Sequence, residues 1–180
     1  MASGPCSGNA LEFPNVIPEL KMQINEHNML TLDSGPWWDD LTVGTRFRTR
    51  RRTVTETDLV QFANLTWLNE ELFSVAGEGR AGMAIQGRVV PGALVYSYAE
   101  GLLVPSMQAS GLAFLGTSLD VKGPTFVGDT IHVECEVVEQ RRTSKPGRGL
   151  VRTRNAVVNH RGETVLVYDP LRLMRIRAES

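Results

Sequence analysis

The sequence predicts an α+β domain in which an antiparallel sheet folds around one central, buried helix. Three observations carry that expectation. The stretch "VVPGALVYSYAEGLLVP" opens on Pro91-Gly92 and is almost entirely apolar or aromatic, and a helix apolar all round is a buried one. The chain beyond this helix is all strand in pattern: "GLAFLGTSLDVKG", "DTIHVECEVVEQRRT" and "GLVRTRNAVVNHRGETVLVYDPLRLMRIR". Short connections join these runs, the last run carrying a hairpin turned at "NHRGE", which makes the strands antiparallel rather than crossover-linked.

The elements before the helix complete the order. Residues 1–36 carry Gly, Pro, Ser and Asn without a sustained period and read as a tail, either poorly structured or packed on the body, leaving 37–177 as a single domain. From Thr45, "TRFRTRRRTV" alternates as a strand and places Arg46, Arg48, Arg50 and Arg52 on one face. A helix then starts with Thr55 as N-cap and Asp58 as its capping-box partner, with Leu59, Phe62, Ala63 and Thr66 or Trp67 on one side. The stretch "NEELFSVAGEGRAGMAIQGR" has irregular glycines at 77, 79, 82 and 87 and reads as a long connection, a lid or simply a loop. The central helix is expected from about Gly92 to Leu103, stopped by Pro105. In the strand from Thr130, the alternation turns Ile131, Val133, Cys135 and Val137 one way and His132, Glu134 and Glu136 toward solvent or a partner. One sheet leaves open edges around so apolar a helix, so dimerisation by edge pairing, or a higher assembly, is expected.

Composition excludes several classes. With 180 residues, 42% hydrophobic and 22% charged, the chain has the usage of an ordinary globular domain. Nineteen Lys and Arg balance twenty Asp and Glu, so no global field favours nucleic acid or anionic lipid. The basic groups Arg46 to Arg52 and Arg141, Arg142, Lys145 and Arg148 suit either phosphate contact or a solvated, aggregation-resistant edge, and no aromatic interleaving points to nucleic acid. Cys6 and Cys135 alone make no disulfide framework, and no His, Cys or Asp cluster has metal spacing. No apolar run reaches the ~20 residues that span a bilayer, and the N-terminus lacks the pattern of a signal or transit peptide. A cytoplasmic protein is expected.

The order of "WWDDLTVGTRF", "GRVVPGAL", "GPTFVGDTIHVECEV" and "VVNHRGETVLVY" resembles the hot-dog domains of the MaoC-like acyl-CoA hydratases and dehydratases, over roughly residues 37 to 177. The spacing of Pro124, Gly128 and Asp129 at the opening of a strand is its most specific piece. The resemblance implies that two protomers share a continuous sheet, that acyl thioesters of coenzyme A bind between them, and that a backbone N–H at the start of the central helix polarises the thioester carbonyl. Physics supports that role for Gly92. A helix N-terminus offers unsatisfied N–H groups and a positive dipole end to a developing oxyanion, and glycine allows close approach. The plainer alternative is a Pro-Gly pair that merely starts a helix.

The chain departs from the family pattern at the residues that move protons. Family hydratases carry an Asp or Asn, then a Pro and a His, just after the first helix. Anchored on Phe62, Leu65 and Thr66, those positions fall here on Leu68, Glu71 and Phe73. A one-residue shift substitutes Trp67 and Leu72, which does no better, and His27, His132 and His160 lie elsewhere. Neither Leu nor Phe exchanges a proton at neutral pH. Two readings stay open: Glu71 or Glu70 takes over the proton, or the domain keeps the thioester pocket, shaped by Trp67, Leu68, Phe73 and Pro91, without the chemistry. On the central helix, Tyr96 and Glu100 share a face. They suit either a hydrolytic site with Glu100 as base or nucleophile, or hydrogen bonding at a dimer seam. The expected function is hydration or dehydration of an enoyl-CoA or 3-hydroxyacyl-CoA, with coenzyme A entering as part of the substrate and no separate cofactor. The alternatives are a thioesterase and a non-catalytic partner of an active hot-dog subunit.

Overall fold

The computed structural model describes residues 35–75 and 87–177, so the expected tail and most of the glycine-rich connection lie outside the described residues. The order begins with a short 3-10 turn, Trp38–Asp40, then strands β1 (Arg46–Arg48) and β2 (Arg52–Thr53), helix α1 (Glu56–Thr66), a four-residue helix α2 (Glu71–Ser74) and the central helix α3 (Gly92–Met107). Six more strands complete it: β3 (Gly111–Gly116), β4 (Leu119–Val121), β5 (Thr130–Arg142), β6 (Arg148–Val158), β7 (Thr164–Tyr168) and β8 (Leu171–Arg175). All the pairings are antiparallel.

The sheet is one long ladder, β5 against β6, with broken strands on either side. On one flank β1 and β2 both pair with β5; on the other, β6 pairs with β8 through residues 148–152 and with β7 through residues 155–158. The outer pair β3 and β4 lies beyond β8 and β7 respectively. The expected arginine strand is therefore interrupted. At the break, Thr49 substitutes its own groups for the ladder, its N–H donating to Val133 O at 3.0 Å and its hydroxyl accepting from Val133 N at 2.9 Å. A register shift between Val137 and Glu139 bends β5. Breaks and bulges of this kind let a sheet curl, here around α3.

The helix runs longer than the sequence suggests. Pro105 lies inside α3 rather than ending it. The carbonyl of Gly101 loses its partner there, but both residues are exposed, where water replaces the lost hydrogen bond. Nor is α3 buried all round. It packs Leu94, Val95, Ala99 and Leu103 against Val133, Cys135, Val157, Val165 and Leu166 of the sheet, while Ala93, Ser97, Gly101 and Val104 stay exposed. The outward row of β5 is corrected in one place: His132 is buried, with Nε2 3.3 Å from Glu134 Oε1. A second, smaller core gathers Trp38, Leu41, Val137, Val151 and Met174, and Trp38 donates its indole N–H to Leu150 O at 3.1 Å. The indole lies directly on the backbone of Gly149, where a Cβ would collide with the ring.

The start of α1 forms as its spacing implies. The N–H of Asp58 donates to the Thr55 hydroxyl at 3.2 Å and the N–H of Thr55 donates to Asp58 Oδ2 at 2.8 Å. Arg52 then joins Asp58 Oδ1 at 3.0 Å and stacks its guanidinium 4.0 Å from the Tyr98 ring, which ties α1 to α3. Burial pushes the Asp58 carboxyl up, but hydrogen bonds from Tyr98 and Thr55 and the Arg52 charge outweigh it and hold the group at about 2. An aspartate depressed in this way stabilises the fold above its ordinary range, near pH 4, and that contribution fades as pH falls through 2. Urea unfolding between pH 2 and 6 should show wild-type stability falling across this window, whereas Asp58→Asn should be less stable at pH 7 and flatter with pH.

Candidate active site

The first turn of α3 is uncapped. Pro91 is its N-cap, no side chain accepts from the turn, and the Pro91 carbonyl receives Leu94 N at 2.9 Å and Val95 N at 3.2 Å. Among the described residues the N–H of Gly92 has no acceptor. Beside it lies a cavity of about 350 Å3 whose walls come from α2 (Leu72, Phe73), the approach to α3 (Val89, Val90), α3 itself (Gly92, Val95), the end of β4 with the residues after it (Val121 to Thr125), and β7 (Val165, Leu166). A Cβ on residue 92 would stand 3.0 Å from Val121 Cγ2, so glycine keeps this wall open.

The wall opposite α2 is set by the motif that the sequence singles out. Phe126 N donates to Asp129 Oδ2 at 2.9 Å, Gly128 turns the chain at φ 92°, and Gly128 N and Asp129 O pair with Val54. Arg161 holds the buried Asp129 through a 2.7 Å ion pair, and His160 Nδ1 is 3.4 Å from the same oxygen. Val90 N donates to Thr125 O at 2.8 Å, fastening this turn to the strand that leads into α3. Arg88 fixes the remaining side: its guanidinium donates to Ser74 O at 3.2 Å at the end of α2 and pairs with Glu56 of α1 at 2.6 Å.

The predicted site residues divide accordingly. Gly92 and Phe73 line the cavity. Pro91 is buried directly before Gly92. Glu70 and Glu71 open α2, next to Leu72 and Phe73, with their side chains exposed in this chain and outside the cavity lining. They do not form part of the long loop expected from the sequence; the α2 turn closes through Phe73 N and Ser74 N donating to Glu70 O at 2.9 and 3.0 Å. Trp67 is 85% exposed and ends α1 with φ 60°, a left-handed conformation unusual for a side chain of its size, and it lies outside the lining of this cavity. Leu68 is half-buried and outside the lining.

Tyr96 and Glu100 belong elsewhere. Tyr96 meets Tyr168 edge to face at 5.2 Å, and Arg172 donates to both oxygens of Glu100 at 2.7 and 2.8 Å. Eight residues of helix, about 12 Å, separate Glu100 from Gly92. Burial pushes the Cys135 thiol up to about 12, so it is no nucleophile. The two basic groups stand apart from the cavity as well. Sequence reasoning missed Val121, Lys122 and Thr125, although they adjoin or lie within the recognised "GPTFVGD" motif. Lys122 is exposed at the mouth and pairs with Asp120 at 3.2 Å. Among the described residues no cluster of His, Cys, Asp or Glu is arranged to hold a metal ion, and no helix is long and apolar enough to cross a membrane.

No family model matches the sequence, and none of the curated proteins does. Solved structures do match. A monoamine oxidase regulatory protein from Archaeoglobus fulgidus is 30% identical at a TM-score of 0.71, over 81% of this chain and 97% of that one. A MaoC-like dehydratase from Rhodospirillum rubrum is 27% identical at 0.71, over 81% and 100%. An (R)-hydratase from A. caviae involved in PHA biosynthesis is 26% identical at 0.59, over 76% and 98%. Together with the sheet curled around α3 and the cavity at the start of that helix, these likenesses place the chain: it belongs to the MaoC-like hot-dog family of hydratases and dehydratases.

Proposed function

We propose that this protein adds water to an enoyl-CoA, or removes it from a 3-hydroxyacyl-CoA, across the C2–C3 bond of the acyl thioester. The observation that carries the reading is the apolar cavity beside the uncapped first turn of α3. In it, Gly92 N–H takes the thioester oxygen as negative charge builds on it, and the apolar walls take the acyl chain. Hydration places hydroxide on C3 and a proton on C2; dehydration reverses both. Glu71 or Glu70, on the same short helix as Phe73, handles the proton, and no cofactor other than the coenzyme A of the substrate enters.

A second reading rests on one specific feature. None of the residues lining the cavity carries a carboxylate or an imidazole. In that case this chain binds the thioester and another hot-dog subunit supplies the base. The thioesterase alternative gains no such support, because Arg172 engages both oxygens of Glu100. Either surviving reading involves a second subunit at the β3–β4 edge, which exposes Leu112, Phe114, Leu115, Leu119 and Val121. A homodimer is the simplest arrangement, since an open edge pairs readily with its own copy.

Mass spectrometry of enoyl-CoA and 3-hydroxyacyl-CoA panels incubated with the purified protein separates the readings. Gain or loss of one water is the expected outcome; release of free coenzyme A would mean hydrolysis, and binding without conversion would favour the partner reading. Glu71→Gln should lower turnover by roughly 10²- to 10⁴-fold, the usual worth of a general acid or base, with thioester affinity unchanged. Equal turnover in the variant would remove Glu71 from the mechanism. Phe73→Ala widens the cavity and should move kcat/KM toward longer acyl chains, each added methylene contributing about 0.8 kcal/mol. Phe114→Arg, read by light scattering on a sizing column, should shift the protein toward monomer.

A further inference from the structure

The cavity is apolar with one internal exception. Thr125 is 2% exposed, lines the cavity, and its hydroxyl has no hydrogen-bond partner among the described residues. Lys122, the other polar side chain at the site, is exposed at the mouth and already paired with Asp120. The hydroxyl belongs to the cavity lining, so whatever fills the cavity either hydrogen-bonds it or leaves it unpaired. Its position is fixed by the backbone. Thr125 O receives Val90 N at 2.8 Å, and the neighbouring pair Val89 and Phe126 forms an antiparallel bridge, which sets Thr125 beside the residue two before Gly92.

We propose that the Thr125 hydroxyl is the specificity-determining contact of this cavity, recognising an oxygen on C3 of the acyl chain while Gly92 N–H holds the thioester oxygen. This rests on the acyl-thioester reading. Thr125 and Gly92 line the same cavity, and the backbone bond from Val90 to Thr125 joins their two segments. A threonine hydroxyl both donates and accepts, so it suits a 3-hydroxyl or the water that becomes one. It is not a base at neutral pH, and its role is to orient and select. A ligand with no oxygen at C3 fills the cavity and leaves the hydroxyl unpaired. Sites built to hydrogen-bond a substrate hydroxyl reject the analogue lacking it for that reason.

The test uses the whole protein, titrated by calorimetry with 3-hydroxybutyryl-CoA and butyryl-CoA, which differ only in the C3 oxygen. Wild type should bind the hydroxy compound more tightly. Thr125→Val, which keeps the shape, should weaken the hydroxy compound about two- to tenfold, the range of one neutral hydrogen bond, and leave butyryl-CoA unchanged. Thr125→Ser, which keeps the hydroxyl, should retain the preference. Because the hydroxyl has no protein partner, Thr125→Val should unfold at or above the wild-type temperature, so its effect is not one of misfolding. If both compounds bind wild type and Thr125→Val affects them equally or not at all, the Thr125 assignment is overturned while the acyl-thioester reading stands. If neither compound binds wild type, the acyl-thioester reading fails and the Thr125 assignment falls with it.

Discussion

One helix seated on one sheet is the constraint on which the remaining geometry depends. Each of Leu94, Val95, Ala99 and Leu103 is almost fully buried, and a buried Leu or Val contributes about 1.5–3 kcal/mol relative to exposure. A flat sheet cannot enclose a cylinder, so the strands must bend around α3, and the bends are visible at Thr49, at Val137 and Glu139, and between β7 and β8. Seating the helix also fixes where it begins. Its uncapped first turn therefore stands against the residues after β4, and a cavity is left where Phe73 and Leu72 arrive from α2.

The same seating separates two polar environments along α3. At its N-terminus the chain presents backbone donors to an apolar space. Two turns on, Glu100 and Arg172 form a tight, mostly buried pair beside Tyr168 and Asn155, which sit opposite one another on β7 and β6. Burial and the nearby Glu100 charge push the Tyr168 hydroxyl above its usual range. Among the described residues, the amide of Asn155 and the Tyr168 hydroxyl have no hydrogen-bond partner, a cost that the surrounding apolar core offsets. Glu100 is held by its cation, about two helical turns from the start of α3.

Much of this was legible in the sequence because it obeys local rules. Thr55 and Asp58 specify a helix start within four residues, and the alternation of Ile131, Val133, Cys135 and Val137 specifies which face of β5 is inward. The hairpin at Asn159 to Glu163 likewise declares itself by its turn residues. What stayed hidden depends on tertiary placement. Pro105 stays in α3 only because its broken hydrogen bond faces solvent, and His132 is buried by its surroundings rather than by its own period. Trp67, which periodicity assigns to a packed face, turns outward because the chain reverses through it in a left-handed conformation. The pocket wall at Thr125 is remote from α3 in sequence and meets it through a single strand-like bridge, a juxtaposition that no local pattern encodes.

An apolar cavity has a physical consequence for where a charged group can stand. Leu72 and Phe73 present no ionisable group to the cavity, and an apolar wall strengthens the action of a donor such as the Gly92 N–H, because the local dielectric falls. It also makes a free carboxylate inside the cavity costly, since burial disfavours its charged form. A carboxylate is therefore cheapest outside the lining, where it keeps water. Glu70 and Glu71 stand exposed at the start of α2, outside the lining, and their helix is anchored from behind by Arg88 to Ser74 and to Glu56. Arg88 also accepts Val127 N at its carbonyl, so the same residue that sets α2 helps to set the turn carrying Thr125. Two walls of the cavity are thus tied to one residue.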